Sequence, residues 1–158
     1  MATAVIRVRG FDELRRKLGP HIVARPARNF LTRGATIVQG KARENAPYDR
    51  GGLRDSIAYQ IDSGYVPLWA KIGTNIEYGR ATELGRPAGS MPPSAPLELW
   101  ARRHGMEPGS GYALALAIFK RGIEARPFLE PALHESRPQI IGLVGTFAAE
   151  IEAAAMGG

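Results

Sequence analysis

The side chains that could carry chemistry in this sequence are few and widely spaced. The three histidines, His21, His104 and His134, have no second histidine or carboxylate at metal-ligand spacing on an expected helix, so isolated surface imidazoles are expected rather than a zinc site. Glu77 and Glu83 flank one short segment, but residues six apart on a helix point to different faces. Paired acid–base work needs two carboxylates aimed at one bond, so solvation or an ion pair with Arg80 is the plainer reading. The Gly51-Gly52 pair, Gly109 and Gly111 resemble phosphate-cradling glycines only superficially. No Lys-Ser or Lys-Thr follows them, so they read as turn residues. No nucleophile elbow and no dinucleotide fingerprint is present.

The densest stretch, NAPYDRGGLRDSIAYQI at 45–61, reads as a joint. Pro47 stops a helix and pushes residue 46 toward extended geometry. Asp49 can accept backbone N–H bonds in a turn. Gly51 or Gly52 supplies a positive φ. Leu53 returns to the core, while Arg54 and Asp55 stay near solvent or pair. No nucleophile with a base beside it occurs there, so the expectation is no catalysis, no metal and no cofactor.

The elements around this joint follow from periodicity. Residues 4–9 alternate as a short strand, and DELRRKL follows as a short helix. A long helix spans about residues 21–45. Val23, Ala27, Phe30, Leu31, Ile37, Val38 and Ala42 form its apolar stripe, and Arg25, Arg28, Arg33, Lys41 and Arg43 lie mostly off it. Gly34 and Gly40 suggest close packing on that helix. Residues 56–62 and 66–73 read as an antiparallel hairpin, and 76–85 as a helical turn ended by Gly85. After a Pro/Gly/Ser-rich loop at 86–96 come a helix with Ser94 as cap or Pro96 as first residue, a second helix over YALALAIFKRGI, an extended and turning EARPFLEPALHES, and a last helix at about 137–155. The expected fold class is α+β, with the long N-terminal helix and the C-terminal helix packed on a small, mostly antiparallel sheet.

Composition bounds the rest. The 158 residues suit one domain. The absence of cysteine removes disulfides and thiolate metal sites. MATAVIRVRG does not read as a signal peptide, and no uninterrupted run approaches the roughly 20 apolar residues of a membrane span. The net charge of +6 favours acidic partners or nucleic acid, but the cations are scattered and mostly arginine.

Four pieces in order carry a resemblance: VIRVRGFDELRRKL, ARENAPYDRGGLRDSI, IGTNIEYGRATELG and ARPFLEPALHES. Together they resemble the tail-completion, or neck, proteins of long-tailed bacteriophages, the family typified by gene product ten of phage Hong Kong 97. The matching positions are Ala46-Pro47, Asp49 to Ile57, Tyr78 to Gly85 and Arg126 to Leu133. Arg50 departs from the threonine or serine usual in the family, which removes a hydroxyl cap. The stretch 86–124 is longer than in the shortest members.

The resemblance implies one tail-completion-like domain over residues 1–158, with an inserted loop–helix segment at about 86–124. It implies a structural virion protein, made in the bacterial host cytoplasm and joining a head-side connector or stopper to a tail terminator or tail tube, as a homo-oligomeric ring. Such a subunit needs no enzyme activity and no membrane. A ring built head-to-tail needs two different complementary patches on each subunit. Trp100, Arg102 and Arg103 are interface candidates, as are Phe128 and Leu129, held between prolines; Phe128 reads equally well as a core anchor seating the last helix. The alternative is a small basic nucleic-acid-binding domain on the arginine face of helix 21–45, and a ring channel could combine the two through non-specific DNA contact.

Overall fold

The computed structural model describes residues 2–48 and 51–157. The described chain is α+β: helices pack on a three-stranded antiparallel sheet of order β1-β3-β2. By contact it divides into two compact units, residues 1–79 with 127–158, and residues 80–126.

In the first unit, strand β1 (Ala2–Arg7) alternates cleanly, with Ala2, Ala4 and Ile6 buried and Thr3, Val5 and Arg7 outward. It runs slightly earlier than residues 4–9. Helix α1 (Phe11–Leu18) turns from Gly10, whose φ of 98° only glycine holds without strain. Helix α2 (Pro20–Asn45) begins on a proline, which costs nothing where the N–H has no helical partner. Its apolar stripe is where the periodicity puts it: Val23, Ala27, Leu31, Val38 and Ala42 are fully buried. A Cβ at Gly34 would sit 3.5 Å from Ile6, so close packing holds there; at Gly40 it would meet open space.

Helix α3 (Gly52–Ser56), strand β2 (Ala58–Ile61) and strand β3 (Trp69–Thr74) follow. The hairpin pairs Ala58 with Gly73 and Ile61 with Ala70, and β1 pairs with the other edge of β3. The strand expected from Ser56 starts two residues later, because Ser56 closes a helical turn: its hydroxyl donates to the Leu53 carbonyl at 2.7 Å and lies 2.6 Å from the Thr74 hydroxyl. The second strand begins at Trp69, not Val66.

Helix α7 (Leu129–Met156) departs most from expectation. It starts eight residues before the expected 137. Pro131 lies in the first turn, where a missing N–H is harmless, and Pro138 lies inside the helix on an exposed side. By length and composition α7 is long and apolar enough to cross a membrane, with a window of mean hydropathy 1.3. Glycines, a proline and charges interrupt its apolar residues, so no single run announces this.

One face of α7 lies on α2. Phe11, Phe30 and Phe147 form a cluster with ring centroids 5.1–6.1 Å apart. Beside it, Glu150 accepts from Asn29 at 2.8 Å and pairs with Arg33 at 3.0 Å. Burial of aromatic surface contributes about 2 kcal/mol per ring, against less than about 1 kcal/mol for a part-exposed ion pair, so the rings dominate. Phe128 and Leu129 are buried where α7 begins. They are core anchors seating the helix, the second of the two readings open for Phe128, and they offer no outer surface for docking.

Truncating Phe30 to alanine is expected to cost about 3 kcal/mol in a denaturant titration. Ser136 is wholly buried and its hydroxyl has no hydrogen-bond partner among the described residues. Ser136→Ala in the same titration is therefore expected to be neutral or stabilising by up to about 1 kcal/mol.

Candidate assembly interface

The joint can be followed on both sides of residues 49 and 50; the turn role of Asp49 and the substitution at Arg50 fall outside the described residues. Helix α2 ends with Ala46 in extended geometry before Pro47. Arg54 Nε donates to the Ala46 carbonyl at 2.9 Å, and its guanidinium lies 5.0 Å from the Tyr48 ring centre. Of the two glycines, Gly51 carries the positive φ, 82°, while Gly52 opens α3. Leu53 is buried. The carbonyl of Ile57 accepts from both Gln39 and Arg43 of α2. These bonds fasten the helix to the start of the hairpin.

The outer face of the sheet carries Thr3, Val5 and Arg7 of β1 beside Gly73, Lys71 and Trp69 of β3, with Ala58 and Gln60 of β2 on the far side. A shallow recess of about 280 Å³ lies at its small-residue end, lined by Thr3, Ala58, Gln60, Lys71, Gly73 and Asn75 among others. A Cβ on Gly73 would come within 2.5 Å of the Ala2 carbonyl, so glycine lets β1 and β3 approach there. Lys71 and Tyr59 are the ionisable residues lining this recess, an arrangement that suits contact.

In the second unit, helix α4 (Gly79–Leu84) runs in from the first and ends at Gly85, φ 71°. Arg86 and Ile123 exchange backbone bonds of 2.9 and 2.8 Å, closing the unit at its base. The loop at 86–93 is tied by Gly89 N–H donating to the Phe119 carbonyl and by Arg86 donating to the Ser90 hydroxyl. Helix α5 (Ser94–Arg103) follows Pro93, so Ser94 is its first residue rather than its cap. Helix α6 (Ser110–Arg121) returns alongside it.

Glu98 pins this hairpin. Its carboxylate accepts from the Gly109 and Gly111 amides at 3.0 and 2.8 Å and from Arg102 Nε at 3.2 Å. The two backbone amides, then Arg102, hold its pKa below the ordinary carboxylate value. Gly111 has a second duty: a Cβ there would lie 2.6 Å from the Glu98 nitrogen and 2.7 Å from the Ser94 carbonyl. Sequence reasoning took Gly109 and Gly111 as turn residues and gave Glu98 no role. The signal was a carboxylate one helical pass before a Gly-Ser-Gly, legible only once the two helices are known to be neighbours.

Trp100 is 37% exposed and stacks on His104, ring centres 4.0 Å apart. Leu99 and Tyr112 are more exposed still. Arg102 is held by Glu98, and Arg103 faces solvent. Trp100 and Arg103 therefore stand on the surface of this unit, and Arg102 partly so. His21 and His134 are exposed and separate. Glu83 is buried and Glu77 exposed. Among the described residues no group of histidines and carboxylates could hold a metal ion.

The arginine face of α2 is largely engaged within the chain. Arg28 donates to the Gly64 carbonyl, Arg33 pairs with Glu150, Arg43 donates to Ile57 and Lys41 pairs with Glu44. Cations committed in this way are poorly placed to neutralise a row of phosphates.

Residues 12–85 match a family model described as "Bacteriophage HK97-gp10, putative tail-component". The matched segment runs from α1 through the joint and the hairpin to the end of α4. No curated protein and no solved structure matches the chain significantly.

Because the Glu98 carboxyl titrates lower in the folded hairpin than in the unfolded chain, its stabilisation is present above the ordinary carboxylate pKa. It is lost as pH falls through the lowered value. Protection of the Gly109 and Gly111 amides against hydrogen exchange, relative to their intrinsic rates, is expected to drop as pH falls below the ordinary carboxylate range, and Glu98→Gln to remove that step. Gly111→Ala, read by thermal melting, is expected to destabilise the second unit by about 2 kcal/mol or more through overpacking.

Proposed function

With residues 12–85 carrying the HK97-gp10-like tail-component family, we propose that this chain is a structural subunit of a long-tailed phage or phage-like particle, set at the neck, where it joins the head connector to the tail tube. The family match carries the reading. The four motifs support it beyond that segment, since the Arg126 to Leu133 piece falls where α7 is seated by buried Phe128 and Leu129. The subunit acts through its faces and performs no catalysis. It assembles as a ring through two dissimilar patches. One is the outer face of the sheet with its Lys71 recess; the other is the exposed α5 surface around Trp100 and Arg103. Its other contacts are the head-side connector or stopper and the tail terminator or tube. The domain is a single tail-completion unit in which residues 86–124 are an insertion that diversifies one contact.

The nucleic-acid reading keeps a lesser place. Arg25 and Arg103 are exposed, and among the described residues no ion pair holds either, which suits loose contact with a passing genome rather than a dedicated site.

Particles made without the protein test this reading. Electron microscopy is expected to show filled or empty heads and separate tails. Normal tailed particles in its absence would contradict the proposal.

A further inference from the structure

Helix α7 is apolar on more than the face it buries. Ile140, Leu143 and Phe147 pack toward the core, and Glu150 bonds α2 on the same side. At 100° per residue, Arg137, Ile141, Val144, Ala148 and Glu152 fall within about 80° of one another, centred about 120° round the helix from that buried face. All five are exposed, Ile141 by 60% and Val144 by 53%. A surface helix normally turns one apolar stripe inward and a polar face outward; α7 has a second stripe bounded by a cation and an anion.

The order of residues in this stripe is self-complementary. A two-fold axis between positions 144 and 145 sets Arg137 of one copy against Glu152 of the other, Ile141 against Ala148, and Val144 against Gly145. Large side chains meet small ones, and opposite charges meet at both ends, about 22 Å apart along the helix. Among the described residues neither Arg137 nor Glu152 has an ion-pair partner within the chain. A Cβ at Gly145 would meet nothing within 4 Å, so the notch opposite Val144 is open. A parallel pairing would set Arg137 on Arg137 and Glu152 on Glu152.

We propose that two copies of this chain associate through α7, antiparallel about a two-fold axis between Val144 and Gly145, with Arg137–Glu152 ion pairs at both ends. A single helix seam buries less than the roughly 800 Å² per partner of a standard stable interface, so the dimer is weak, with a dissociation constant on the order of tens of micromolar. The pairing concerns the free chain and does not depend on its place in a particle. It covers the apolar stripe whenever a docking partner does not.

Sedimentation velocity of the full chain from about 1 to 200 µM tests this. The expected result is a monomer passing to a dimer. Val144→Lys is expected to abolish the dimer with the thermal melt unchanged, since the site is exposed. Arg137→Glu or Glu152→Arg alone is expected to weaken association about tenfold, and the double variant to restore it. The proposal is overturned by a monomer at every concentration, by a dimer that Val144→Lys leaves intact, or by a double variant as weak as the singles. Flotation with phosphatidylcholine–phosphatidylglycerol vesicles that Val144→Lys removes would also overturn it, by assigning the stripe to lipid.

Discussion

The packing of α7 on α2 is the constraint from which the rest of the first unit follows. The two helices come from opposite ends of the chain, so nothing local brings them together. The driving force is the apolar area of Phe11, Phe30 and Phe147 and the aliphatic residues beside them. Glu150 adds direction rather than much energy, because it can meet Asn29 and Arg33 together in only one register. With that register set, Ile140 closes over Gly34 and Ile6, and the sheet is held under the helix pair.

The second unit depends on a different kind of contact. Its apolar residues are small or partly exposed, and Ala101 and Ala115 are the buried hydrophobics of α5 and α6. A short hairpin with so little core cannot rely on area alone. Glu98, bonded to two backbone amides, and the close approach allowed by Gly111 supply the missing specificity. The result is a firm platform for exposed Trp100, Leu99 and Tyr112. Aromatic side chains of this kind suit contact surfaces, since they combine large area with few rotamers to freeze.

Much of the first unit was legible in the sequence because its signals are local. The stripe of α2 repeats cleanly, Pro47 ends that helix, and the alternation of β1 maps directly onto burial. In the joint the sequence left Gly51 and Gly52 open, and the positive φ falls on Gly51. The errors came where tertiary packing overrides local rules. Ser56 looked like the first residue of a strand, yet its hydroxyl bonds hold it in a helical turn. EARPFLEPALHES read as extended and turning, while burial of Phe128, Leu129 and Ala132 seats a helix from Leu129 onward. Phe128, read equally as a core anchor and as an interface candidate, is buried as the former, and Leu129 is buried with it. Glu98 and the outer stripe of α7 went unnoticed, because each gains meaning only from a neighbour distant in sequence or from a second copy.

The family match over residues 12–85 and the exposed faces of both units fit a part used for its shape in an assembled particle. Electron cryomicroscopy of the mature particle that carries this gene is the most direct measurement. The account predicts density at the junction of head and tail into which the α2–α7 pair with its three-stranded sheet fits, repeated around the tail axis. Mature, infectious particles that contain no copy of the chain would contradict it.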